Sequence, residues 1–149
     1  MARIADLAIS SPDLEPDAAI DPRFAGRSGA VPRLEVSGVP EDAVELAVIV
    51  HDPDAPSQTG FTHWAVYGLP PEDGPVSAGS PGVRVGRNSA GSADYMPPNP
   101  PRGHGVHHYE FRAYALDTSV EGAPSREQFL ARYEGHVLEQ ARLVGTYSN

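Results

Sequence analysis

A mainly β fold is predicted for this 149-residue chain by three observations: 15 Gly and 16 Pro supply many turns, Ala43–Val50 is a β-branched apolar run, and Val106–Leu116 alternates strictly. In chain order, residues 11–33 are polar, carry Pro and Gly throughout and keep neither a 3.6 nor a 2 period, so ordered loop with one short strand is expected. The run Ala43–Val50 reads as a central strand that leads directly into His51-Asp52. Thr62–Leu69 reads as a second strand, closed by Pro70-Pro71, with His63, Ala65 and Tyr67 on one face and Trp64 and Val66 on the other. Residues 75–93 are Gly/Ser-rich loops around a short strand near Val83–Val85.

Along Val106–Leu116 the odd positions His107, Tyr109, Phe111, Ala113 and Ala115 form an inward face, and His108, Glu110, Arg112 and Tyr114 face water at least in part. Ser125 with Gln128 three positions later is a capping box opening a short helix over Ser125–Glu134. Gly135 interrupts it. Val137, Ala141 and Val144, with Leu138 beside them, then predict a second helix over His136–Val144, stopped by Gly145. No repeat appears, and residues 1–149 read as one domain, a length that buries roughly 68–70% of the unfolded surface.

Composition narrows the function classes. With no Cys there is no disulfide, thiolate metal site or thiol nucleophile. All eleven basic residues are Arg, so Schiff-base chemistry on lysine is excluded. A net charge of −9, with no segment gathering Arg and aromatics, argues against nucleic acid and anionic bilayers as partners. Met1–Ser10 has no continuous apolar core, nothing approaches 18 apolar residues, and a soluble, cytoplasmic protein without membrane insertion is expected.

Two regions concentrate carboxylates, imidazoles, a phenol and rigid prolines at the ends of apolar runs: Asp52-Pro53-Asp54-Ala55-Pro56 with His63-Trp64, and Tyr95 through Gly103 with His107-His108-Tyr109. Taken singly, each Asp suits a turn that accepts backbone N–H groups, and each His suits a satisfied core or edge position. Together, two inward histidines, a Tyr sharing a face with one of them, and carboxylates at a strand end describe a small polar pocket. A carboxylate beside an imidazole fixes its tautomer and favours its charged form, which turns the ring into an anion donor. A metal is the rival reading, but His107 and His108 point to opposite faces, and no metal is expected. No Gly-x-Ser-x-Gly elbow is present, and no serine is placed by sequence beside either histidine.

Asp52-Pro53-Asp54-Ala55-Pro56 with His63-Trp64, followed by Tyr95-x-x-Pro98-x-Pro100-Pro101-x-Gly103-x-Gly105-x-His107-x-Tyr109, resembles the two signature regions of the phosphatidylethanolamine-binding protein family, in its bacterial and archaeal Raf-kinase-inhibitor-like branch. Shorter similar fragments run from Ser11-Pro12 to Gly145-Thr146-Tyr147. The resemblance implies a large central, mainly antiparallel sheet, a smaller flanking sheet and short C-terminal helices. It also implies an anion pocket lined by Asp52, His63, His107 and Tyr109, its wall shaped by Asp54 and Pro56 and its rim by Pro100 and Pro101. Phosphate, acetate or a phosphorylated headgroup is the implied ligand, with no cofactor; a kinase or protease partner and a homodimer are further implications.

The chain departs from the family where Gly-Pro becomes Pro97-Pro98, where the Arg between His and Tyr becomes His108, and where Ser-Pro-x-Leu becomes Val31-Pro32-Arg33-Leu34. Pro97 removes one N–H donor from the pocket edge. The function expected is a non-enzymatic binding module for small anions. An acid–base enzyme using Asp52 and a histidine is the alternative, and a protein that docks a partner through the rim loops is a third.

Overall fold

Two sheets and one α-helix make up the regular structure among residues 6–149, the part of the chain that the computed structural model describes. The expectation for Met1–Ser10 lies outside the described residues at positions 1–5. The strands are β1 (Ala8–Ser10), β2 (Ala18–Ala19), β3 (Glu35–Ser37), β4 (Glu45–Asp52), β5 (Phe61–Leu69), β6 (Gly74–Pro75), β7 (Arg84–Val85), β8 (His107–Leu116) and β9 (Val137–Tyr147), with helix α1 (Arg126–Tyr133) before the last. The large sheet runs β2-β9-β8-β4-β5-β7 and is antiparallel except where β2 meets β9; β1, β3 and β6 form the small one. This is the mainly β class that the sequence predicts.

Burial on both faces explains why β4 reads as a continuous apolar run: all of its residues are buried. Leu46, Val48 and Val50 pack with Trp64, Val66, Phe111 and Leu143 beneath the small sheet's Ile9 and Val36. Ala47 and Ile49 face the other way, with Ala65, Tyr67 and Leu116 under Phe129 of α1. Tyr114 belongs to this second core at 4% exposure, so the expectation that it faces water is corrected: α1 covers that end of β8. The helix itself begins as read, with Ser125 and Gln128 closing the capping box from both sides.

Residues 137–147 form a strand, and the second helix is corrected. Val137, Ala141 and Val144 fit a helical stripe, but β9 lies in register with β8 from His107 opposite Tyr147 to Ala115 opposite Glu139. Pairing removes an open edge from the central sheet and buries Leu143, which a short isolated helix could not match. Gly145 is a close-approach residue here, because a Cβ at this position would lie 2.7 Å from Cγ1 of Ile20. Buried Glu139 accepts from the backbone N–H groups of Asp6 and Leu7, both at 3.0 Å, and so ties the small sheet's leading segment to β9.

The loop over 11–33 contains only β2 and a 3-10 turn at Pro22–Phe24. Asp13 closes it, accepting from the Arg33 backbone at 2.8 Å and from its guanidinium at 2.7 Å. Those hydrogen bonds from Arg33 hold the Asp13 carboxyl at about 2, below its usual 3.8.

Phe129 is fully buried between Tyr67, Tyr114 and Tyr133. Phe129→Ala is expected to cost about 3–5 kcal/mol in urea unfolding while leaving the His63 and His107 ring resonances in place, because the helix lies on the face of the sheet away from them.

Candidate functional site

The C-terminal end of β4 and the N-terminal ends of β5 and β8 meet at one end of these neighbouring strands, and each delivers a side chain by a different device. On β8, plain alternation carries His107 and Tyr109 to the same buried face. On β4, the strand extends two residues beyond the expected Val50, so Asp52 is its final residue and is buried, at 3% exposure. On β5, Trp64 pairs with Val50 but Thr62 pairs with His51, which makes His63 an extra residue in the ladder. That bulge turns His63 off the Ala65 and Tyr67 face, where alternation assigns it, toward Tyr109, whose ring lies 5.3 Å away edge-on.

Asp52 organises the cluster. Its Oδ2 lies 2.6 Å from His107 Nδ1 with both side chains 4% exposed, and its Oδ1 accepts the Asp54 N–H at 2.8 Å. An ionised carboxylate only accepts, so His107 carries its proton on Nδ1 and turns Nε2 outward. His63 is held the same way: Met96 donates its N–H to the His63 carbonyl at 3.0 Å, and the Met96 carbonyl stands 2.7 Å from His63 Nδ1. Pro97 confines Met96 to extended backbone and so aims that carbonyl.

These groups open onto a cavity of about 270 Å³. Asp52, Pro56, His63, Pro100, Pro101, His107 and Tyr109 line it, seven of the eight residues singled out in the sequence. Asp54 is not in the lining. Its Oδ2 instead accepts from the His108 backbone at 2.7 Å and lies 2.8 Å from His108 Nδ1, on the outer side of β8. Ala55, Phe61, Met96 and Asn99 also line the cavity, and sequence reading passed over them. Phe61 lies one residue ahead of the strand expected from Thr62, and Met96 acts through a backbone carbonyl, which no side-chain motif reports. Asn99 accepts from the Asn149 amide at 3.0 Å, and the same amide donates to the Pro100 carbonyl at 2.7 Å, fastening the rim. His104 also lies against the site: its Nδ1 is 2.7 Å from His107 Nε2.

Burial sets the electrostatics. It pushes the His63 pKa below 6.5, only partly opposed by the Met96 carbonyl and the Asp52 charge, and the charge of His107 pushes the same way. His63 is therefore neutral at pH 7, with its proton on Nδ1 and a lone pair on Nε2. Tyr109 is pushed up by burial and then by the charges of Asp52 and Asp54, so it stays a phenol donor. Among the described residues, no group of three or more His, Asp or Glu is placed to hold a metal ion, and no helix is long and apolar enough to cross a membrane.

A sequence profile of the phosphatidylethanolamine-binding protein family matches residues 10–148, and the chain belongs to that family. It is 43% identical over 126 residues to a UPF0098 protein of Pyrococcus abyssi, an alignment covering 78% of this chain and 70% of the relative. In three dimensions it is similar to the crystal structure of a phosphatidylethanolamine-binding protein homologue from Chlamydia trachomatis, with a TM-score of 0.86 and 33% identity over 98% of this chain and 99% of that one. Escherichia coli YbcL matches with a TM-score of 0.86 and 29% identity, covering 97% of this chain and 99% of that one.

Two outcomes follow from this geometry. His63 and His51 both have pKa values lowered below 6.5, chiefly by burial, so below that pH the unfolded chain binds more protons than the folded one. Their contribution to stability is complete above pH 6.5 and is lost as pH falls through their folded values; thermal unfolding between pH 7.5 and 4.5 should show this loss, and His63→Gln should flatten it. Pro97→Gly should cost about 0.4–1 kcal/mol in urea unfolding by freeing the unfolded chain.

Proposed function

We propose that this protein is a non-enzymatic receptor for a small oxyanion, of the phosphate or phosphorylated-headgroup class. The observation that supports this reading is the buried Asp52–His107 contact opening, with His63 and Tyr109, into a cavity whose remaining lining is mostly proline and apolar side chain. Such a site holds few polar groups, each fixed in direction by a neighbour, which suits a ligand with one compact polar end. The carboxylate that keeps His107 oriented also offsets a positive charge on that ring when an anion arrives.

Proton inventory shapes the binding. A neutral His63 offers a lone pair at Nε2, so an anion oxygen there either carries a hydrogen itself or requires the ring to be charged. Affinity consequently rises as pH falls. The groups facing His63 are Asp52 from β4, His107 and Tyr109 from β8 and the Met96 carbonyl; Asp52 favours its charged form and His107 opposes it. A net charge of −9 opposes anion approach at long range and keeps affinity modest.

Calorimetric titration with phosphate, sulfate and phosphoethanolamine at pH 5.5, 6.5 and 7.5 tests this. Binding should strengthen toward acid pH, and at pH 7.5 phosphate, which can bring a hydrogen, should outcompete sulfate, which cannot. Asp52→Asn should weaken phosphate about tenfold at pH 6.5 by removing the carboxylate that orients the His107 ring and favours a positive charge on it. Absence of binding at millimolar concentration in all three titrations would sink the reading.

A further inference from the structure

His104 lies outside the cavity lining but inside the site's hydrogen-bond network. His107 has two ring nitrogens, and Asp52 occupies Nδ1 at 2.6 Å. Nε2 is thus the only polar atom this buried residue can offer a ligand, and in this structure it is already engaged by His104 Nδ1 at 2.7 Å. The two rings are tilted at 46° with centroids 5.0 Å apart, so the nitrogen-to-nitrogen contact, and not face-to-face stacking, holds them together. Whichever ring supplies the proton, an incoming oxygen and the His104 ring compete for one atom.

The His104 ring lies on the exposed, outer side of the contact, so it can give way without moving the strand. Gly103 and Gly105 have φ of +78° and +86°, a conformation glycine adopts without strain, and a Cβ at either position would meet nothing within 4 Å. The segment stays anchored meanwhile, because the His104 N–H donates to the Pro101 carbonyl at 3.1 Å and the Gly103 N–H to the Asn149 carbonyl at 3.3 Å. His104 is exposed and His107 is 3% exposed, so rotation of the outer ring alone uncovers the inner nitrogen. Neighbouring His108 cannot substitute, since Asp54 holds both its backbone N–H and its Nδ1 on the other side of the strand.

We propose that His104 sets the ligand affinity of this pocket: it occupies the outward nitrogen of His107 while the pocket is empty and yields it to an oxygen of the bound phosphate group. The proposal rests on the anion-receptor reading above. Its cost is that of one partly exposed hydrogen bond, which lowers the observed affinity by the fraction of time the contact is open, roughly two- to tenfold.

The test is calorimetric titration of inorganic phosphate at pH 6.5 into the native protein, His104→Ala and His104→Asn, with nitrogen NMR of the histidine rings. His104→Ala should bind phosphate roughly two- to tenfold more tightly. His104→Asn, whose side-chain amide can restore the contact, should return to native affinity. In the native protein, phosphate should shift the His104 ring signals together with those of His107. Equal affinity in native protein and His104→Ala overturns the proposal, and so does weaker binding in the variant, which would make His104 a direct ligand contact. If phosphate binds neither protein and moves no His63 or His107 signal, the receptor reading falls and this proposal falls with it; tight binding confined to the variant supports both.

Discussion

Much of the site depends on one buried contact, the carboxylate of Asp52 against the imidazole of His107. It joins the last residue of β4 to the first residue of β8, where neighbouring strands would otherwise end in unpaired polar groups. Removing one member of a buried hydrogen-bonded pair leaves the other unsatisfied, at a typical cost of about 1–3 kcal/mol, so neither residue is free to vary alone. The contact also propagates. The second oxygen of Asp52 holds the Asp54 amide, and Asp54 in turn holds His108, so the acidic turn after β4 is stitched to both faces of the beginning of β8. The two signature regions are far apart in sequence, and these carboxylates are what make them one structure.

Local pattern carries most of the architecture. The run in β4, the alternation in β8 and the Ser125/Gln128 capping box each point to a structure that a few neighbouring residues determine. The last strand was not legible, because Val137, Ala141 and Val144 satisfy a helical stripe and only the long-range register with β8 decides against it. Tyr114 was misplaced for a related reason: alternation says which side it takes, not that α1 covers that side.

The candidate site divides along the same line. His107 and Tyr109 share a face by period alone, and Asp52 follows from the strand preceding it. His63 reaches the cavity through a bulge, which depends on how β5 registers with β4 and has no signature in its own residues. Period 2 would have turned it away. Met96 contributes a carbonyl, and His104 contributes a ring placed by two glycines in the left-handed region. Backbone conformation and register set these three, and side-chain motifs do not encode either.

The place of β9 has a consequence for how the chain acquires this structure. It sits between β8 and β2, and its pairing with β2 joins Ala18 to Gly145 across nearly the whole length of the protein. During synthesis β8 leaves the ribosome before β9, so for that interval the strand bearing His107 and Tyr109 is an open edge able to pair with another nascent chain. Glu110 and Arg112, in the middle of β8, place charge on that edge until its last neighbour arrives, and charged side chains on an open strand edge disfavour pairing with another chain.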